Sequence, residues 1–222
     1  MSKSLFSSIS KKPILRKPIF RYESSILRKV SELDWNNPLT LFVKRSGIIY
    51  YTIKYGEVYL CFGKDKQTGE LTDFGGGRRI NETSIQCAVR EGNEESRFVF
   101  GNLTPEAVFN YWCLYNKNML IVFVYVACID DDIFRVTTEN FNSGALIPNQ
   151  YKHVDNGKVM LNKCCDEISE IVWLSAREFN NILLNLSTIK FYTRVLKFIR
   201  SCPNFYPNIL SSNVSFQEIQ KS

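Results

Sequence analysis

Histidine is almost missing from this chain: His153 is the only one in 222 residues. A proton relay built on several imidazoles, or a histidine-based zinc cluster, is therefore excluded, and His153 reads as a surface or loop residue. Long apolar runs are missing too. The longest, Met119–Ile129, stops at Asp130, well short of the ~20 residues that a membrane-spanning helix requires. It reads as a buried strand, and no membrane partner is expected. The cysteines (Cys61, Cys87, Cys113, Cys128, Cys164, Cys165 and Cys202) are an odd set without paired metal spacing. The adjacent Cys164 and Cys165 lack the two-residue gap of a redox or zinc pair. With no secretory signal evident, reduced thiols in the cytoplasm are the simplest reading. Acid is absent from the first 22 residues.

That last absence locates the charge. The formal net charge is +6, yet residues 1–30 hold Lys3, Lys11, Lys12, Arg16, Lys17, Arg21, Arg28 and Lys29 against Glu23 alone, so the rest of the chain is near neutral. The leading segment has three readings. It is an arm that grips a polyanion such as RNA, a solvated tail, or an organelle transit peptide, the last weakened by Pro13 and Pro18. Length and an ordinary composition, 45% hydrophobic and 23% charged, suit one domain with extensions. We expect a basic extension over 1–37, a domain over 38–202 and a tail over 203–222.

Periodicity gives the elements. Glu23–Leu33 reads as a short helix, and Leu41–Lys44, Gly47–Ile53, Glu57–Phe62, Leu71–Phe74 and Leu120–Cys128 as strands. Lys44 and Arg45 read as solvated cations at a strand end, with substrate contact as the lesser alternative. Thr104-Pro105-Glu106 looks like the start of a helix carrying Tyr111 and Trp112, and Phe134–Lys158 like a long loop with turns at Asn142-Ser143-Gly144 and Asp155-Asn156-Gly157. Asp130–Asp132 reads as a solvated turn, with a contribution to a metal site as the lesser alternative. Ser175 with Glu178 reads as a capping box. Thr188–Cys202 reads as an amphipathic helix, with Ile189, Tyr192, Val195, Leu196 and Ile199 inward and Lys190, Arg194, Lys197 and Arg200 outward.

The stretch around which these are organised runs from Phe74 to Phe98, FGGGRRINETSIQCAVREGNEESRF. Gly76 is followed after five residues by Glu82, after seven more by Arg90-Glu91, and after two more by Glu94-Glu95. On a helix beginning near Glu82 or Thr83, residues three and four apart share a face, so Glu91, Glu94 and Glu95 converge on one side. Such carboxylates repel one another unless a cation neutralises them, and hard divalent ions take oxygen ligands. Arg90, four before Glu94, is placed to pin that side chain. Ile85, Ala88, Val89 and Gly92 make a small apolar face suited to burial against a sheet. Gly75, Gly76 and Gly77 let the backbone approach a ligand, and free amides at a helix start favour phosphate. Arg78 and Arg79 stand beside them as further substrate contacts.

This pattern resembles the signature of the Nudix hydrolase superfamily, G-x5-E-x7-R-E-U-x-E-E-x-G-U with U apolar, matched by Gly76, Glu82, Arg90, Glu91, Glu94 and Glu95. At residue frequencies of roughly 5–7%, a chance match in such a chain is on the order of 10⁻⁵. Gly92 departs, where the family has a bulky apolar residue, and Arg97 replaces the glycine after the helix. Gly92 is expected to loosen packing and to weaken the helix by roughly 0.5–1 kcal/mol relative to Ala. Arg97 leaves the shape of the following loop open. The resemblance covers about Leu41–Leu184. It implies the α/β class, a mixed sheet between helices in an α/β/α sandwich, and hydrolysis of a diphosphate bond linking a nucleoside diphosphate to another group. It also implies Mg²⁺ or Mn²⁺ held by Glu91, Glu94 and Glu95 with help from Glu82 and the Gly76 carbonyl. Glu94, Glu95 or Glu167 takes the proton, and Arg90 orients a carboxylate. Glu167 enters because Asp166–Phe179, DEISEIVWLSAREF, resembles the late strand of many such enzymes, where an acid at its start assists; Glu170 is second.

The wording GRRxxxE followed by CAVREgnEES looks like Nudix enzymes of large DNA viruses that remove the mRNA cap. The basic arm and the basic face of the terminal helix would give RNA a path to the site. Against this, cellular decapping enzymes commonly show Pro-Lys before the glycines, where this chain has Asp73-Phe74-Gly75. A triple glycine also occurs in Nudix enzymes acting on diphosphoinositol polyphosphates and small nucleotides. Capped RNA ranks first as substrate. Small nucleotides, dinucleoside polyphosphates and diphosphoinositol polyphosphates rank second, and a module that binds RNA or a nucleotide without cleaving it ranks third.

Overall fold

The computed structural model describes residues 24–127, residues 132–202 and Phe205. Most of the basic leading segment, Asp130, Asp131 and nearly all of the expected tail lie outside the described residues. In chain order the elements are β1 (Ile26–Lys29), α1 (Pro38–Leu41), β2 (Arg45–Lys54), β3 (Glu57–Asp65), β4 (Leu71–Thr72), β5 (Phe74–Gly77), α2 (Ser84–Glu95), β6 (Trp112–Asn116), β7 (Met119–Tyr125), α3 (Ile133–Ser143), β8 (Lys152–Asp155), β9 (Lys158–Leu161), β10 (Ile168–Ser175), α4 (Ala176–Leu183) and α5 (Thr193–Arg200). Single 3₁₀ turns link several of them.

Strand β2 shows why the fold has layers. Its run Ile48-Ile49-Tyr50-Tyr51 is buried throughout, and successive side chains on a strand point to opposite faces. Ile48 and Tyr50 pack with Ile85, Ala88 and Val89 of α2 and Phe141 of α3. Ile49 and Tyr51 pack with Phe179 of α4 and with Val195, Phe198 and Ile199 of α5. The sheet is thus covered on both faces, the expected α/β/α arrangement. Its strands run in the order β1-β6-β7-β2-β3-β10, with β4 beside β3 and β5 beside β2. Among the described strands only β2 and β7 pair in parallel; the other strand neighbours are antiparallel, so the sheet is mixed. β8 and β9 form a separate hairpin. Among the described residues no helix is long and apolar enough to cross a membrane.

Several local readings give way to tertiary context. The helix expected over Glu23–Leu33 is instead edge strand β1, paired with β6, followed by a 3₁₀ turn; free backbone groups on β6 outweigh a weak helical pattern. The sheet therefore reaches back into the segment expected to be an extension. No strand forms over Leu41–Lys44: Leu41 ends helix α1, begun by Pro38 and by the Asn37 cap, which accepts from the Leu39 amide at 2.9 Å, and β2 starts only at Arg45. The helix expected after Pro105 lasts one 3₁₀ turn, since Trp112 is already in β6. Most of the long loop is ordered: α3 runs to Gly144, whose φ of 61° ends it, and β8 and β9 follow. The terminal helix starts at Thr193, later than expected. Its buried face is Val195, Phe198 and Ile199, whereas Ile189 and Tyr192 are exposed.

Candidate active site

The glycine strand and the acidic helix are brought together by β2. β5 pairs with the start of β2, placing Gly75 opposite Gly47 and Gly76 opposite Ser46. α2 lies across the same strand. A capping box starts it: the Thr83 hydroxyl accepts from the Gln86 amide at 3.2 Å and the Gln86 side chain accepts from the Thr83 amide at 2.8 Å. Glu82 consequently lies in the turn before the helix, not on it.

Close approach depends on two glycines. A Cβ at Gly92 would lie 2.5 Å from Ile48 Cδ1 and 3.2 Å from the Tyr50 hydroxyl. The expectation that Gly92 loosens packing is thus overturned, because the β2 side chains fill the space that the helix leaves. A Cβ at Gly76 would lie 2.5 Å from Glu91 Oε1, so only a bare backbone lets β5 meet the helix carboxylates.

Arg90 is the hub of the site. Its Nε and Nη2 donate to Glu82 at 2.7 and 3.0 Å, and its Nη1 donates to Glu91 at 2.7 Å and Glu94 at 3.2 Å. Nη2 also reaches the Gly77 carbonyl at 3.2 Å. Arg79 adds its amide to Glu82 at 2.9 Å and its exposed guanidinium to Glu94 at 3.4 Å. Arg78 donates to the carbonyls of Arg79 and Glu82 and lies over the Phe42 ring, so it shapes the loop. Glu95 turns the other way and accepts from the Gly75 amide at 2.7 Å. It is 6% exposed, at the wall of a cavity of about 240 Å³ that Glu167, Arg45, Gly75 and Tyr192 also line. Glu91, Glu94 and Glu95 share a face as expected but do not meet at one point. Among the described residues no three acidic, histidine or cysteine side chains are gathered at metal-ligand spacing.

The carboxylates differ in their electrostatic surroundings. Burial, then the charges of Glu91 and Asp73, push the Glu95 carboxyl well above the usual range, against the pull of Arg45 and the Gly75 amide. Burial also raises Glu91; Arg90 opposes this, while Glu94 and Glu167 add to it. For Glu82 burial is outweighed by Arg90 and by the Arg79 amide, and its pKa falls. The Cys87 thiol is pushed up to about 11, by burial first and then by Glu82 and Glu91, which keeps it protonated. Oxygen donors on one helix, two of them with raised pKa, fit a hard divalent cation.

Two participants escape sequence reasoning. Arg45 is not solvated, contrary to expectation. Its guanidinium forks onto the fully buried Asp73 at 2.7 Å on each oxygen and donates to the Gly75 carbonyl at 2.7 Å. It ties β5 to β2, a pairing that no local spacing signals. Arg97 adopts φ 55°, the left-handed conformation a glycine would take there. Its guanidinium donates to the carbonyls of Cys165 at 3.0 Å, Phe141 at 3.1 Å and Ile168 at 3.0 Å. Cys165 and Ile168 bracket Glu167, so Arg97 fixes the segment that carries Glu167 against the end of α2. Glu170 instead pairs with Lys64 on the surface at 3.1 Å. Asp132 binds Arg135, likewise at the surface.

No family model matches the chain, and no curated protein sequence does. Among solved structures, a Caenorhabditis elegans Ap4A hydrolase in a binary complex aligns at 16% identity and a TM-score of 0.39, covering 72% of this chain and 93% of that one. A second structure of C. elegans Ap4A hydrolase aligns at 14% identity and 0.35, covering 72% and 96%. Likenesses this distant carry no argument about activity.

Proposed function

We propose that this chain is a metal-dependent hydrolase of the Nudix type that cleaves a diphosphate linkage in a nucleoside-diphosphate-linked substrate, with the 5′ cap of mRNA as the leading substrate. The observation that carries this reading is the arrangement of Gly75–Gly77 against Glu82, Arg90, Glu91, Glu94 and Glu95, every fixed polar position being occupied and engaged. The glycine backbone and the exposed Arg79 bind the diphosphate. Glu91, Glu94 and Glu95 would hold Mg²⁺ or Mn²⁺, which would supply Lewis-acid polarisation of the phosphorus centre and make the attacking water more acidic. Arg90 orients Glu82, Glu91 and Glu94 and stays outside the chemistry. Water oxygen bonds to phosphorus, the bridging P–O bond breaks, and a carboxylate takes the water proton. Glu94 is engaged by Arg90 and Arg79, and Glu95 by the Gly75 amide. Glu167, which lines the same cavity as Glu95, is the acceptor we favour.

The test is a product assay with Mg²⁺ and Mn²⁺ on cap-labelled RNA, run beside nucleoside diphosphate derivatives, dinucleoside polyphosphates and diphosphoinositol polyphosphates. Metal-dependent release of methylated GDP from RNA is expected. Preference for a small diphosphate keeps the chemistry and removes the decapping reading. No turnover of any substrate leaves a binding module only.

A further inference from the structure

A buried hydroxyl without a partner is costly, and native proteins keep few of them. The Ser46 hydroxyl of β2 is one. The residue is fully buried, and its Oγ meets no hydrogen-bond partner among the described residues. Its place in the fold gives this a meaning. Ser46 alternates in step with Ile48 and Tyr50, so it projects to the face of β2 that α2 covers. It is also the register partner of Gly76 on the antiparallel strand β5. Directly opposite residues of such a pair project to one face, with Cβ positions ~4.5–5.5 Å apart. A Cβ at Gly76 would lie 2.5 Å from Glu91 Oε1 and 2.8 Å from Oε2. The bare backbone of Gly76 therefore leaves the Glu91 carboxylate and the Ser46 hydroxyl as neighbours, with no side chain between them.

The carboxylate has a matching shortfall. Glu91 Oε1 accepts from Arg90 Nη1 at 2.7 Å, whereas Oε2 meets no donor among the described residues. Arg90 has little left to offer it. Nη1 is shared with Glu94, and Nε and Nη2 are committed to Glu82. A donor that lacks an acceptor thus stands next to an acceptor that lacks a donor, beyond hydrogen-bonding reach of each other.

We propose that Ser46 is a positioning residue for the cation-binding carboxylates. When Glu91 holds a divalent cation, the Ser46 hydroxyl donates to its carboxylate, directly or through one water, and fixes its orientation. Metal-binding carboxylates are commonly held by groups that never touch the metal. A serine suits the place, since it brings a donor into the seam between β2 and α2 with little volume. This inference rests on the proposed function for the cation, and is independent of which diphosphate is cleaved.

The test uses the whole chain and three variants: Ser46→Ala, Ser46→Cys, a weak donor of similar size, and Ser46→Thr, which keeps the hydroxyl. Mn²⁺ affinity is measured by titration calorimetry without substrate, and Tm is measured in EDTA. Turnover of a nucleoside diphosphate derivative is followed across Mn²⁺ concentrations. Ser46→Ala is expected to weaken Mn²⁺ binding on the order of tenfold. Ser46→Cys should fall between it and wild type, and Ser46→Thr should bind like wild type. The metal-free Tm of Ser46→Ala should equal or exceed that of wild type, because no hydrogen bond is lost. Its turnover should need more Mn²⁺, with kcat at saturating Mn²⁺ retained. Equal Mn²⁺ affinity in wild type and Ser46→Ala would overturn the proposal. So would a metal-free Tm that drops together with the affinity, the mark of a structural hydroxyl. If Mn²⁺ affinity depends on Ser46 while the wild type hydrolyses nothing, the positioning role stands and the hydrolase reading falls. A wild type that binds no Mn²⁺ overturns both.

Discussion

Gly92 and Ile48 illustrate how one side chain's volume can be handed to a neighbour. The helix gives up a side chain and the strand fills the gap, so the pair is coupled. Gly92→Leu is expected to destabilise by about 1–3 kcal/mol through overpacking. Gly92→Leu with Ile48→Ala should recover at least half of that loss in a double-mutant cycle read by urea denaturation; additive losses would mean that the two do not share space. Glu95 allows a second test at this scale. Its pKa is raised by burial first and then by Glu91 and Asp73, so ionising it costs the folded state. The metal-free protein should therefore lose stability as pH rises from the ordinary carboxylate range through the raised folded value, and a divalent cation should oppose that loss. Glu95→Gln keeps an acceptor for the Gly75 amide and removes the charge. We expect its metal-free Tm at pH 8 to rise by at least about 2 °C, each kcal/mol being worth ~2–4 °C in a chain of this size. The stabilisation by Mg²⁺ should shrink and product release should fall at least a hundredfold. A Tm and a metal response equal to wild type would remove Glu95 from the site.

At the scale of elements, Arg97 joins what the chain keeps apart. One guanidinium spans the end of α2, the end of α3 and the approach to β10. Arg97→Ala strips three carbonyls of a charged donor, a loss of about 2–4 kcal/mol once part of it is solvated again. Amide exchange at 165–168 should quicken more than exchange in β2. Because Glu167 would then be held less firmly, kcat should fall more than KM rises. Uniform quickening across the sheet would show a global effect instead.

How legible the elements were follows the same division. β3, β7 and β10 and the Ser175 capping box were readable because their signals are local: β-branched runs, turns, and a Ser three residues before a Glu. The box was readable because its polar residues sit at fixed intervals on one helix and the turn before it. β1 was not, since Ile26 and Leu27 are a strand only because β6 offers an open edge. Helix α3 was hidden by its polar composition, although Gly144 was a usable stop signal. The roles of Arg45 and Arg97 could not be read, because their partners lie 28 residues away at Asp73 and 68 to 71 residues away at Cys165 and Ile168.

For the whole molecule, charge and fold are divided between regions. The near-neutral domain starts its sheet at Ile26, while the excess charge precedes it. Removing residues 1–22 should leave turnover of a small diphosphate unchanged, since no residue of the acidic motif lies among them. Affinity for single-stranded RNA and its dependence on salt should both fall. An undiminished salt slope would assign the segment to a role other than binding RNA.

The parallel pairing of β2 with β7 also bears on when the site comes into being. Arg45 lies beside Met119 and Tyr51 beside Tyr125, partners 74 residues apart in the chain. Contacts of that reach close late in folding, because the entropy of a large loop must be overcome before they form. During synthesis, a nascent chain that has released residue 98 already displays every residue of the acidic motif. Yet the strand supporting its glycines lacks its parallel neighbour until Tyr125 has emerged, and Glu167 arrives later still. Fragments ending between those points should carry the whole motif and bind no substrate.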